Sequence, residues 1–212
     1  MTTTKLAVIY YSSQGNVHKL AAAAAAAGEK AGAEVRLRRT AELTTESIVP
    51  GNDTWNQVWA DHLESVKDIP EATLEDLEWA DAVMWGTSGR YGLPAASLKQ
   101  FIDLTLPLHM KRGLVNKVMS SFTSTATLHG GQESTILALN NAFYHWGALI
   151  VPPGVADDIQ LAPTNGNPYG VSSVSRNQGG NVDDDNLAAI EYQARRTVEI
   201  ADLLNRGRQS LR

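Results

Sequence analysis

Three polar, glycine-bearing stretches each follow a short apolar run. Between them they hold the residue types that bind a phosphate or the rim of a ring system. The first is Ser12-Ser13-Gln14-Gly15-Asn16-Val17, between an apolar run at residues 6–11 and an alanine-rich segment. It offers hydroxyls, a side-chain amide and successive backbone N–H groups at a helix start, and Gly15 lets the backbone come close. That set suits a phosphate monoester held without strong cationic help. The GK[ST] ending of a Walker A loop and the G-x-G-x-x-G dinucleotide fingerprint are both missing. A plain strand-to-helix turn would use the same residues. The second stretch is Thr87-Ser88-Gly89-Arg90-Tyr91-Gly92, preceded by Gly86. Glycines around an aromatic suggest backbone pressed against a flat ligand. The third runs Thr123-Ser124-Thr125-Ala126-Thr127-Leu128-His129-Gly130-Gly131-Gln132. Its hydroxyls and glycines can hydrogen-bond the edge of a ring, or simply cap a helix.

Positioning these stretches requires strands that end side by side. Residues 6–11 form a continuous apolar run, which reads as a strand buried on both faces of a parallel sheet. Further strands are expected at 34–38, 82–86, 115–121 (extending towards Phe122) and 148–151. Helices are expected at 17–31, 74–81, 95–104, 134–146 and 186–205. The seven alanines at 21–27 are strong helix formers that allow close packing on a sheet. Residues 40–73 read as a connection with one or two short helices, and residues 206–212 as a frayed end. Residues 86–94 and the long Pro-, Gly-, Asn- and Ser-rich segment 152–185 read as loops, the latter long enough to serve a function. Alternating strands and helices predict an α/β doubly wound sheet of five parallel strands in the order 2-1-3-4-5, in a single domain over residues 1–212. Ligands in such a sheet bind outside the carboxyl ends of the strands, where the three stretches converge. Together they describe a site for flavin mononucleotide (FMN), with its phosphate in the first and its ring between the other two.

Composition narrows the class. The balance of 18 basic and 23 acidic residues gives a net charge of −5. That is no footprint for nucleic acid, nor the dense acidic face of a small electron carrier. The chain has no cysteine, which excludes thiol catalysis and Cys-ligated metals and leaves redox chemistry to a bound cofactor. The five histidines show no metal spacing. No apolar run approaches the roughly 20 residues of a membrane span, and the N-terminus lacks the apolar core of a signal peptide. A soluble cytoplasmic protein is expected.

The sequence also resembles the flavodoxin-like NAD(P)H:quinone oxidoreductases of the WrbA type. The matching residues are 12–16, the Arg90-Tyr91-Gly92 loop, FIDLT at 101–105, FTSTATLHGGQE at 122–133, NPYG at 167–170 and the last helix at 188–201. The resemblance covers nearly the whole chain and implies FMN, two-electron reduction of quinones by NADH or NADPH, and a homotetramer. It assigns the phosphate to Ser12, Gln14, Gly15, Asn16 and Val17. The ring's edges go to Thr87, Ser88, Gly89, Arg90, Tyr91 and Gly92, and the other edge and ribityl chain to Ser124, Thr125, Ala126, Thr127, Leu128, Gly130 and Gly131. Two family positions differ. His109 stands where the family has a tryptophan near the flavin, and Trp146 where it has a histidine. Either the two residue types have traded places, so that His109 and Trp146 line the substrate side, or both changes are independent. The loop Thr87-Ser88-Gly89 also lacks the family's Pro-Thr, which predicts a more mobile loop and weaker FMN binding. His109 or His129 would protonate the reduced quinone, and a shared flat site implies ping-pong kinetics. Three rivals stay open: a one-electron carrier, a reductase of azo or nitroaromatic compounds, and a non-catalytic binding protein. The cluster Arg36, Arg38 and Arg39 reads as a solvated strand end.

Overall fold

The computed structural model describes residues 3–44 and 49–210. A parallel core of β1 (Lys5–Tyr10), β2 (Glu34–Arg39), β3 (Ala82–Arg90), β5 (Val118–Thr125) and β6 (Leu149–Ile150) runs in the order β2-β1-β3-β5-β6. Counted along the five parallel strands, this is the expected 2-1-3-4-5 doubly wound order. Two short strands were not expected. β4 (Leu93–Pro94) folds back antiparallel on the end of β3, and β7 (Ser172–Val174) pairs parallel with the end of β5. β6 pairs with the start of β5 and β7 with its end, so two segments share the fifth position.

Alternation along the strands builds one core on each face. Leu6, Val8, Tyr10, Met84 and Phe122 face α1 (Asn16–Lys30) and α7 (Asp184–Ser210). Ala7, Ile9, Val83, Trp85 and Met119 face α3 (Leu74–Trp79), α4 (Ala96–Asp103) and α6 (Gln132–Trp146). In α1 the buried positions Leu20, Ala21, Ala24, Ala25 and Ala27 recur at helical spacing. Their small side chains let α1 lie close to the sheet and to α7. The connection at 40–73 contains α2 (Asp53–Ser65), N-capped by Asn52, whose side chain accepts from Trp55 N. Residues 45–48 of that connection lie outside the described residues. α7 continues through Ser210, so residues 206–210 are helical rather than frayed, and 211–212 lie outside the described residues. α5 (Leu106–Met110) precedes β5.

The arginines of β2 are half-buried and paired rather than solvated. Arg36 and Arg38 both donate to Asp76 Oδ1 at 3.0 Å, and Arg39 pairs with Glu71. Asp76 also closes the capping box of α3 with Thr73. These contacts occupy the cluster and fix β2 to the start of α3.

One close approach sets the height of the strand ends. Gly86 lies level with Tyr10 on one side and Phe122 on the other. A Cβ on Gly86 would meet the Phe122 ring at 2.4 Å and Val17 Cγ1 at 2.9 Å. The buried ring has no free space to retreat into. Gly86→Ala is expected to destabilise the fold by about 2–3 kcal/mol, read from urea denaturation. A variant as stable as the parent would mean that this layer yields.

Candidate functional site at the carboxyl ends of the strands

Beyond that layer the three stretches emerge together. α1 starts after Gly15, which is left-handed at φ 88 and leaves the helix without a side-chain cap. The first N–H groups of a helix have no intrahelical partner. They face the turn. Ser12 is turned inward, its Oγ accepting from Gly15 N at 3.1 Å. Ser13 faces the cleft, and its Oγ accepts from Arg90 Nη2 at 2.9 Å and lies 3.4 Å from Ser88 Oγ. A guanidinium from the second stretch therefore stands at the first one. The sequence placed Arg90 at a ring edge and expected little cationic help for a phosphate. The end of β3 instead carries Arg90 across to Ser13.

The second stretch is mostly strand rather than loop, since β3 runs on through Arg90. Thr87 is buried, its Oγ1 donating to Ser88 O and accepting from Ala95 N, while its carbonyl accepts from Thr123 Oγ1 at 2.7 Å. These bonds hold the stretch against β5 and the start of α4. The glycines meet protein. A Cβ on Gly89 would lie 2.7 Å from Thr125 Cγ2, and one on Gly131 would lie 2.9 Å from Gly92 Cα. The second and third stretches are thus packed backbone to backbone, which explains their glycines without a ligand. Tyr91 sits at the hairpin tip with φ 53 and is fully exposed. In the third stretch Thr127 O accepts from Thr125 Oγ1 and Gln132 Nε2, so the loop is folded on itself.

A cleft of about 80 Å³ results, lined from the predicted residues by Gln14, Asn16, Ser88, Gly89, Arg90, Ser124, Thr125 and Ala126. Ser13, Trp55, Ser175 and Asn177 complete it. Ser13 belongs to the stretch read as the phosphate loop, while the sequence reading gave Trp55, Ser175 and Asn177 no role there. Ser175 and Asn177 lay in the long polar segment. That segment lies over the first stretch: Asn16 Nδ2 donates to Gln178 O and Asn181 O, and Gly180 N donates to Gln14 O. The remaining predicted residues do not line the cleft. Ser12, Gly15, Val17 and Thr87 lie behind its wall, while Tyr91, Gly92, Thr127, Gly130 and Gly131 lie beyond it. Leu128 lines a neighbouring cavity with Gln132 and Arg176. His129 is exposed on the third stretch and His109 is exposed on α5. Trp146 ends α6, 6% exposed, in ring contact with Trp85 and Phe143. Within the chain it is a core residue, a full helix length from the third stretch.

The cleft fits the phosphate end of FMN. It offers one guanidinium, hydroxyls and an uncapped helix N-terminus. Its volume is that of a small anion rather than a ring system, so the rest of the cofactor would extend from its mouth. A roomier cavity, about 600 Å³ beside Lys5, Trp79 and Asp81, lies at the opposite end of the strands. Ligands of this sheet type bind at the carboxyl ends, so the smaller cleft is the candidate site.

Beneath the first stretch lie two histidines, His62 buried and His18 half-buried. Tyr10 Oη is 2.7 Å from His18 Nδ1, and the His18 and His62 rings stand 5.7 Å apart. Burial lowers the pKa of both, and the neighbouring His18 lowers His62 further, to about 4. A bond to the Ser12 backbone opposes this. His62 is therefore neutral in the fold and titrates at about 6.5 once unfolded. Above pH 6.5 it has no effect on stability. Between 6.5 and 4 only the unfolded chain takes up the proton, so stability falls with pH, by on the order of 3 kcal/mol in full. Urea denaturation across that window should show the loss, and His62→Asn should flatten it. An unchanged slope in the variant would remove His62 as the cause.

The sequence model of the NADPH-dependent FMN reductase family matches residues 4–161. A protein of Deinococcus radiodurans named NAD(P)H dehydrogenase (quinone) is 40% identical, over 92% of this chain and 94% of its own. One of the same name from Sinorhizobium fredii is 38% identical, over 93% of this chain and 96% of its own. The fold is similar to a WrbA-like flavodoxin from Agrobacterium tumefaciens, with a TM-score of 0.65 and 19% identity over 95% of this chain and 99% of that one. With strand order, strand-end cleft and sequence in agreement, the chain belongs to the NADPH-dependent FMN reductase family.

Proposed function

We propose that the chain binds FMN and reduces quinones to hydroquinones with electrons from NADH or NADPH. The observation that carries this reading is the Arg90–Ser13 contact over the uncapped start of α1, a built seat for a phosphate between strand ends. FMN supplies the hydride transfer between nicotinamide and quinone. The chain supplies binding and shape. Gln14 and Asn16 present backbone N–H groups to the phosphate, and Ser12 holds the turn by accepting from Gly15 N, with Val17 behind it. Arg90 balances its charge. Gly89, Ser124, Thr125 and Ala126 border the mouth, with Thr127, Gly130 and Gly131 behind them. Donor and acceptor use one open face in turn, so ping-pong kinetics are part of the proposal. His129, exposed on the third stretch, would deliver the proton that completes the hydroquinone. His109 on α5 is farther along the chain from the cleft residues, and Trp146 keeps a structural role. The same reading places the chain in the cytoplasm, with the nicotinamides it uses.

A homo-oligomer, read as a tetramer, is part of this proposal. Leu104, Leu106, Met110, Val115 and Tyr144 are exposed apolar side chains around α5 and the end of α6. Gly147, next to that end, packs on Val115. An interface between copies would cover these side chains.

Three measurements test the proposal. The FMN-loaded protein, freed of excess and mixed anaerobically with NADH or NADPH, should lose its visible flavin band and regain it on adding a benzoquinone. Retained flavin that never bleaches would sink the reductase reading. Arg90→Ala should weaken FMN binding about tenfold to hundredfold, the range for a lost charge-assisted bond, with Arg90→Lys intermediate; equal affinity in all three would remove Arg90 from the seat. Light scattering should give a multiple of 22.9 kDa, and a Leu106→Glu, Met110→Glu double variant should reduce it. A monomeric parent would refute the assembly.

A further inference from the structure

The cleft does not end at the phosphate seat. Gln14, Trp55 and Asn177 line it and also line a second pocket of about 390 Å³, closed on its far side by Val49, Asn52 and Val58. The second pocket therefore begins where a phosphate on α1 would end. Its chemistry is different. Around the seat stand hydroxyls and a guanidinium; here stand a half-buried indole and two valines, with side-chain amides at the edge. Its walls are fixed. Asn52 caps α2 through Trp55 N and so holds the turn that carries the indole. Opposite, the long polar segment is pinned by Asn16 and Gln14. Gly179 comes so close that a Cβ there would lie 2.3 Å from Val58 Cγ1 and 3.1 Å from Gln14 O.

We propose that this pocket is a subsite for the adenine ring of a dinucleotide. An indole face with apolar neighbours stacks a flat base, and amides match the donors and acceptors of a purine edge. The shared residue Gln14 lies just before α1, where the pyrophosphate of a flavin dinucleotide would cross from one pocket to the other. The inference rests on the reading of the neighbouring cleft as a flavin-phosphate seat. Two ligands carry the same chemistry. One is flavin adenine dinucleotide, whose adenylate is joined to the flavin phosphate. The other is NADH or NADPH, whose adenosine would lie here while its nicotinamide reaches the open face.

The test uses the full chain, Trp55→Ala and Trp55→Phe. ADP binding by calorimetry probes the pocket without a flavin. Flavin fluorescence gives the affinities of FMN and the dinucleotide, and steady-state rates of the FMN-loaded enzyme with a benzoquinone give KM for NADH. We expect Trp55→Ala to weaken ADP binding about tenfold, the scale of one lost base–aromatic stack. Trp55 also borders the phosphate cleft, so FMN affinity should fall by less than ADP affinity, and Trp55→Phe should stay near the parent. If the dinucleotide binds the parent more tightly than FMN and loses that margin in Trp55→Ala, the flavin's adenylate occupies the site. If instead KM for NADH rises about tenfold at unchanged kcat, the nicotinamide donor does. The proposal is overturned if the parent binds no ADP, or if Trp55→Ala weakens FMN and the dinucleotide equally. A parent that binds ADP but not FMN would refute the flavin seat while leaving the adenine subsite standing.

Discussion

The site rests on the layer where Tyr10, Gly86 and Phe122 stand level across three parallel strands. Gly86 has no side chain, the Phe122 ring occupies that space, and Val17 of α1 closes over both. The register has two consequences. Thr87 and Thr123 come side by side and bond, and Ser88 and Ser124 follow one step later. A slip of one residue would turn those hydroxyls to the opposite face. Val17 also ties the start of α1 to the same floor, so the uncapped N–H groups of the helix open at the height of the strand ends.

A second constraint holds the roof. The chain leaves β6, makes a long excursion and returns as β7 beside the end of β5. Gln193 of α7, fully buried, fixes that return. Its Oε1 accepts from Val171 N, and its Nε2 donates to Ser120 Oγ and Ser121 O. A buried amide with both ends satisfied specifies one arrangement. Gly170 is part of it, since a Cβ there would lie 2.1 Å from Ser121 O. The Asn-Pro-Tyr-Gly motif thus matters through its last residue, which brings the returning backbone against β5. From that anchor the segment runs on to Asn177 and Gly180, over the phosphate loop.

Much of the fold was legible because its signals are local. Apolar runs mark the central strands, alanines mark α1, and alternation marks β2. The strand order followed from the connections being helical. What was not legible depends on contacts between distant residues. β7 has three residues and no pattern of its own, and becomes a strand only by pairing with β5. Thr87 to Arg90 read as loop because glycine and serine carry no strand preference, yet pairing on both sides extends β3 through them. Trp55 and Asn177 are 122 residues apart in sequence and meet only in the folded chain. Trp146 shows the opposite case. Its match to a functional position suggested a pocket residue, while its size and its neighbours Trp85 and Phe143 make it core.

The charge at the seat follows from what surrounds it. A phosphate monoester carries about −1.5 to −2 at neutral pH. The start of α1 offers about half a positive charge, and Arg90 offers one. The two histidines beneath the loop contribute none, because burial keeps them neutral. The sum of about +1.5 meets a monoanion-to-dianion phosphate with little surplus. A chain of net charge −5 gives no general attraction for anions, so binding has to come from this local set. The economy of the arrangement is that one flexible cation does two jobs: without a ligand Arg90 spans the cleft to Ser13, and with a phosphate present the same donors have an anionic acceptor in reach. A phosphate in the seat would favour the protonated form of His62, so FMN affinity and the protonation of His62 would be linked.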